Sequence, residues 1–143
     1  MGQFKIKLKA IVKHGNRYLL VKRWYDDRIL EPYQWEFIDG TMNFGEKLDE
    51  AVERIVQEQT QLVVANGTPY YTWSYIVGDT CNVGICYLFE VTSGEVFLSE
   101  ELADYEWVEK SRLGEYKMDE NVRRDVLAAD KDEVVFVVAP VQE

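Results

Sequence analysis

The stretch from Gly40 to Leu62, GTMNFGEKLDEAVERIVQEQTQL, constrains this chain more than any other. A glycine is followed after five residues by Glu46, then after seven more by Arg54, and the segment around Arg54 has helical periodicity. Residues three and four apart share a helix face. Leu48, Ala51, Val52, Ile55 and Leu62 therefore form one apolar stripe with Gln59 beside it. Lys47, Glu50, Arg54, Gln57 and Gln61 fall on the far side or the flanks, and Glu58 lies at the edge of the stripe.

Strand patterns surround this helix. Phe4, Ile6, Leu8, Ala10 and Val12 alternate with Lys5, Lys7, Lys9 and Lys13, as in a half-buried strand with a solvated lysine face. His14-Gly15-Asn16 supplies a turn, and Tyr18 to Val21 returns as a second strand ending at Lys22-Arg23. Tyr70 to Val77 and Val83 to Val91 read as hairpin arms, and Tyr105 to Val108 as a further strand. Ser111 to Tyr116 reads as a short turn or helix. Asp119 can cap a helix running to about Ala129, with Val122, Val126 and Ala129 inward. The expected order is β-β-loop-β-helix-β-hairpin-β with a helical tail. Residues 1–130 form one domain, and an extension, 131–143, carries a β-branched strand, Glu133 to Ala139 (EVVFVVA).

The spacing of Gly40, Glu46, Arg54, Val56, Glu58 and Leu62 resembles the signature of the Nudix hydrolases: G, five residues, E, seven residues, then R-E-U-x-E-E-x-G-U, with U aliphatic. Gln34-Trp35-Glu36-Phe37-Ile38-Asp39-Gly40 is similar to the family's W-x-U-P-G-G entry, with Ile38 and Asp39 replacing Pro and the first Gly. Leu98 to Leu102 looks like the family's acidic loop. The resemblance covers most of the first 110 residues. It implies an α/β (α+β) fold, an α/β/α sandwich around a mixed β-sheet, and hydrolysis of a nucleoside diphosphate linked to another group.

That chemistry uses Mg²⁺ or Mn²⁺, hard cations held by carboxylates, waters and substrate phosphates. The family's helix carboxylates stand at positions 55, 58 and 59, which helical geometry points into one pocket. Here they are Ile55, Glu58 and Gln59, and the expected glycine at 61 is Gln61. By resemblance, the metal candidates are Glu58, the Gly40 carbonyl and Glu101, and the catalytic candidates are Glu58, Glu46 and Glu101. Arg23 would stand near the substrate phosphates. Arg54, which can pair with Glu50 and Glu58 at helical spacing, would anchor the box loop if partly buried. Asp39, Glu100 and Glu101 either help rebuild a weakened metal site or serve as a turn residue and surface charges.

Trp24, Tyr25, Tyr33 and Trp35 flank Asp26, Asp27 and Arg28 in the loop before the box, where aromatic faces can stack a base or pack beneath the loop. Trp24 and Tyr33 are the substrate-binding candidates; Tyr71, Trp73 and Tyr75 are expected to cover one sheet face. Two cysteines, Cys81 and Cys86, read as free thiols. A net charge of −10 disfavours nucleic acid and anionic membranes as partners. No apolar leader or spanning segment is visible, so a cytoplasmic location is the expectation. Three roles stay open: a pyrophosphohydrolase acting on a small nucleotide-type ligand, a non-catalytic nucleotide- or protein-binding domain, and an assembly domain. Strand 133–139 offers the last either an extra sheet edge or a homodimer contact.

Overall fold

A computed structural model describes residues 2–24 and 34–129. Tyr33, the loop residues Tyr25 to Arg28, and the expected strand 133–139 lie outside the described residues. The first strands are β1 (Gln3–His14), β2 (Arg17–Arg23), β3 (Trp35–Glu36) and β4 (Ile38–Gly40), followed by helix α1 (Leu48–Thr60). Then come β5 (Val63–Val77), β6 (Thr80–Ser93), β7 (Leu102–Glu109), a 3₁₀ turn over Lys110–Glu115, and α2 (Glu120–Ala129). Among the described residues these strands form one sheet of order β3-β2-β1-β6-β5, with β4 also on β1 and β7 also on β2. β1 and β6 run parallel from Gln3↔Thr80 to Lys13↔Glu90, while the other pairs are antiparallel. The sheet is mixed, as the sequence leads one to expect.

Its two faces carry separate cores. Leu8, Ala10 and Val12 of β1 pack with Val52, Ile55 and Val56 of α1. Ile11, Leu20, Phe37 and Cys86 pack with Leu113, Met118 and Val126 on the α2 face. β1 thus departs from the half-buried expectation: it is central, both faces of its second half are covered, and Ile11 is fully buried. Lys7 and Lys9 consequently line the α2 face instead of standing free in solvent.

The hairpin is longer than its expected arms. β5 absorbs the strand after α1, with register shifts between Ala65 and Thr68 and again between Pro69 and Tyr71. Asn66, at φ 59°, sits in this irregular stretch. Asp119 caps α2 as anticipated, its Oδ1 accepting from the Asn121 and Val122 amides at 2.8 and 3.2 Å. Cys81 and Cys86 are both free on β6, and burial pushes the Cys86 thiol up to about 12.

Candidate functional site

The loop from Gly40 to Leu48 is held by Arg54. Its Nε donates to Glu46 Oε2 at 2.8 Å, and one terminal nitrogen donates to Glu46 Oε1 and the Thr41 carbonyl, both at 2.9 Å. The other terminal nitrogen reaches Glu58 Oε1 at 3.1 Å. Glu46 Oε1 also accepts from the Asn43 amide at 2.6 Å. The Arg54 hydrogen bond first, and the Asn43 amide second, hold the Glu46 carboxyl below the usual carboxylate range. A bidentate guanidinium clamp of this kind fixes geometry as well as charge. Arg54 sits where an anchor of the box loop must sit, and Glu46 is its principal partner.

The helix residues do not converge as their spacing predicts. Ile55 and Gln59 are buried beneath the loop, whereas the Glu58 side chain is 59% exposed and turned toward Arg54. Ile55 covers Gly40 so closely that an added Cβ there would lie 3.0 Å from its side-chain carbons. Gln59 Nε2 donates to the Asp39 carbonyl at 2.8 Å, and Gln59 Oε1 is buried without a hydrogen-bond partner. That orphaned oxygen is one neutral donor, where a magnesium ion requires about six hard oxygen positions. Among the described residues, no group of three or more His, Cys, Asp or Glu can hold a metal ion. The side chains around Gly40 do not fit the octahedral carboxylate site that Nudix chemistry uses.

Arg23 closes β2 at a register shift against β7. It meets Glu36 at 3.2 Å, Asp39 at 2.7 Å and Glu101 at 3.3 Å. Burial raises the Glu36 carboxyl above its ordinary value, and neighbouring Asp39 adds to the rise. For Arg23, burial works against the charge, but Asp39 and Glu36 outweigh it and raise its pKa. The acidic loop reaches this cluster because it is tied to the end of α1, with the Phe97 and Ser99 amides donating to the Thr60 and Gln59 carbonyls. Ser99 Oγ donates to Glu101 Oε1 at 3.3 Å, and exposed Trp24 donates from Nε1 to the Glu100 carbonyl at 2.9 Å. Trp35 packs edge-on to Tyr116, with Lys22 Nζ 4.6 Å from its ring centroid. Here packing, not a free stacking face, describes the ring.

Beyond Asp39, a cleft opens between the sheet and α2. It has a volume of about 680 Å³ and is lined by Lys7, Lys9, Trp73, Tyr75, Asp119 and Arg124, among others. A smaller hollow of about 190 Å³ beside Trp35 and Glu36 shares Lys9, Asp39 and Asp119 with it. Lys9 Nζ lies 5.5 Å from the Trp73 ring centroid, a cation–π contact on the cleft floor. Trp73 lies across Gly84, where a Cβ would come within 2.1 Å of the ring. Tyr71, Trp73 and Tyr75 do cover one sheet face, as their alternation indicates. That Lys9 and Asp119 join them was not visible: a lysine in a strand pattern and an aspartate at a helix start each have an ordinary local explanation.

A family model described as the NUDIX domain matches residues 9–130. This chain belongs to the Nudix family. The nucleoside triphosphatase NudI of Escherichia coli (strain SE11) is 31% identical over 125 residues, covering 80% of this chain and 88% of its own. The MutT protein from Methanosarcina mazei Go1 superposes with a TM-score of 0.77 at 22% identity, covering 92% of this chain and 96% of that one. The NUDIX domain of Shewanella oneidensis NrtR, solved with ADP ribose, gives 0.73 at 15% identity over 92% and 89% of the two chains. The fold is that of the Nudix hydrolases, a family that generally uses divalent metal ions such as Mg²⁺.

Proposed function

We propose that this Nudix domain binds a nucleoside diphosphate derivative in the cleft between the sheet and α2, and that its metal-dependent pyrophosphate hydrolysis is weak or lost. The observation that carries this is Ile55 packed onto Gly40, hydrocarbon where the family places a helix carboxylate. The candidate ligands near the box are Glu58, the Gly40 carbonyl and Glu101, with the neutral Gln59 Oε1 beside them, too few charged donors without help from substrate phosphates. Glu46 is engaged by Arg54 and acts chiefly through the loop it holds. Binding is supported by the cleft itself, whose volume of about 680 Å³ is that of a small-molecule site and whose walls combine lysines with aromatic faces. Arg23 reaches the cleft through Asp39, which lines it, and Trp24 and Tyr33 keep their candidate roles, Tyr33 from outside the described residues. The acidic chain, at net charge −10, suits a small ligand better than nucleic acid.

A second role, that of a working pyrophosphohydrolase, draws on the orphaned Gln59 oxygen and the relationship to a nucleoside triphosphatase. One assay separates the two. The protein is incubated with nucleoside diphosphate derivatives and Mg²⁺, Mn²⁺ or EDTA, while phosphate release and melting temperature are followed. The expected result is a ligand-dependent rise in melting temperature that survives EDTA, with turnover near background. Fast, EDTA-sensitive turnover abolished by Glu58→Gln would overturn it.

A further inference from the structure

The Arg23 cluster contains more acid than an anchoring role requires. Glu36 from β3, Asp39 from β4 and Glu101 from the acidic loop converge on one guanidinium, engaging its Nε and both terminal nitrogens. The shortest contact, 2.7 Å, is to Asp39, which is 45% exposed at its side chain and also lines the cleft. Three carboxylates around one arginine repel one another, and Glu36, the most buried of them, is already held above its ordinary range by burial and by Asp39. A cluster selected only to join strands would gain nothing from the third acid, since partly exposed ion pairs add little stability. Its second effect is on what may approach. An anion entering from the cleft meets Asp39 before it meets Arg23.

We propose that Asp39 masks Arg23, so that the cleft selects against ligands carrying a highly charged terminal polyphosphate and favours a nucleoside diphosphate capped at its far end. The ligand phosphate binds by exchange: Asp39 releases the guanidinium, and the phosphate oxygen takes its place. A capped diphosphate presents one charge per phosphorus and must displace one carboxylate. A free triphosphate brings additional charge toward Glu36 and Glu101, where like-charge juxtaposition penalises it. Asp39 stands where the family entry motif has glycine, so the mask is a departure from that motif. The proposal rests on nucleotide binding in the cleft.

Affinities of wild type and Asp39→Asn are measured by calorimetry for a nucleoside triphosphate, for ADP-ribose and for inorganic pyrophosphate, in EDTA. Asparagine keeps the size of the side chain and removes only its charge. Triphosphate and pyrophosphate affinity should rise by roughly tenfold or more, ADP-ribose affinity by about twofold, and Arg23→Gln added to Asp39→Asn should abolish the gain. Glu101→Gln, on the exposed loop, should move selectivity in the same direction by a smaller factor. If wild type binds ADP-ribose and Asp39→Asn leaves selectivity unchanged, the mask is wrong and nucleotide binding stands. If Asp39→Asn gains pyrophosphate affinity while no nucleotide binds either form, Asp39 screens Arg23 from anions but the selection for a capped nucleotide falls together with the proposed function. Absence of binding by every form to every probe overturns both.

Discussion

On the α1 face, the side chains described near Gly40 are mostly committed to other parts of the protein: Ile55 to the glycine itself, the Gln59 amide nitrogen to the Asp39 carbonyl, Arg54 to Glu46, Glu58 and Thr41. On the α2 face, Lys9, Trp73 and Asp119 line an open cleft of about 680 Å³. Both regions belong to one Nudix scaffold and share β4, with Gly40 turned to one side and Asp39 to the other. The contrast separates two requirements that a hydrolase site has to meet. Phosphorus chemistry depends on charged ligands held within a few tenths of an ångström, whereas recognition depends on a cavity and a few convergent groups. On the proposed reading, Ile55 and Gln59 weaken the first while the cleft keeps the second.

The largest effect expected from breaking this contrast comes from putting acids back on the dry side. Ile55→Glu with Gln59→Glu buries two carboxylates beside Gly40 and should cost more than about 3 kcal/mol in EDTA. Mn²⁺ should restore much of that loss in a thermal melt while leaving the wild type unmoved; no recovery would show that the inherited pocket geometry is gone. Next in size is the wet side. Gly84→Ala drives a methyl into the Trp73 ring, and the overpacking should cost about 1–3 kcal/mol and lower nucleotide affinity together. Stability lost without any change in affinity would remove Trp73 from the ligand site.

A smaller gain is expected at the end of α1. Gln61 holds φ 61°, the left-handed conformation that glycine adopts freely, and its amide caps the helix through Gln57 O. Gln61→Gly should stabilise by about 0.5–1 kcal/mol in denaturant unfolding without touching ligand affinity. The smallest effect is a pH signature that labels the faces separately. The raised carboxyl of Glu36 contributes stability that is complete below the unfolded glutamate value and lost as pH climbs through its higher folded value. Glu46 behaves oppositely: its contribution is present above the unfolded value and lost as pH falls through its depressed folded one. Glu36→Gln should flatten the upper limb of the acidic stability profile, and Glu46→Gln the lower.

Much of this was legible because the signals are local. The spacing of Gly40, Glu46 and Arg54 located the box, Asp119 marked the start of α2, and Arg54 was recognisable as a loop anchor. The partner of Arg54 was less accessible, since Glu46 is brought to it by the turn at Asn43 and not by helical spacing. The hairpin arm was expected from Tyr70, and only pairing with β6 across register shifts at Ala65 to Thr68 and Pro69 to Tyr71 carries β5 back to Val63. The burial of Ile11 and the partial cover of Lys9 depend on β1 being central, which is decided by strands far along the chain. Arg23 and Asp39 looked unrelated in sequence, because their contact requires β2 and β4 to flank the same strand.

The parallel ladder joining β1 to β6 also has a kinetic consequence. Its first partner pair, Gln3 with Thr80, closes a loop containing most of the other elements, so β1 stays single-sided until nearly the whole sheet has been synthesised. At about 5–20 residues per second on a ribosome, that leaves the apolar side chains of β1 waiting for several seconds. The lysines spaced along it, Lys5, Lys7 and Lys9, are well placed to keep a nascent strand from finding the wrong neighbour in that interval.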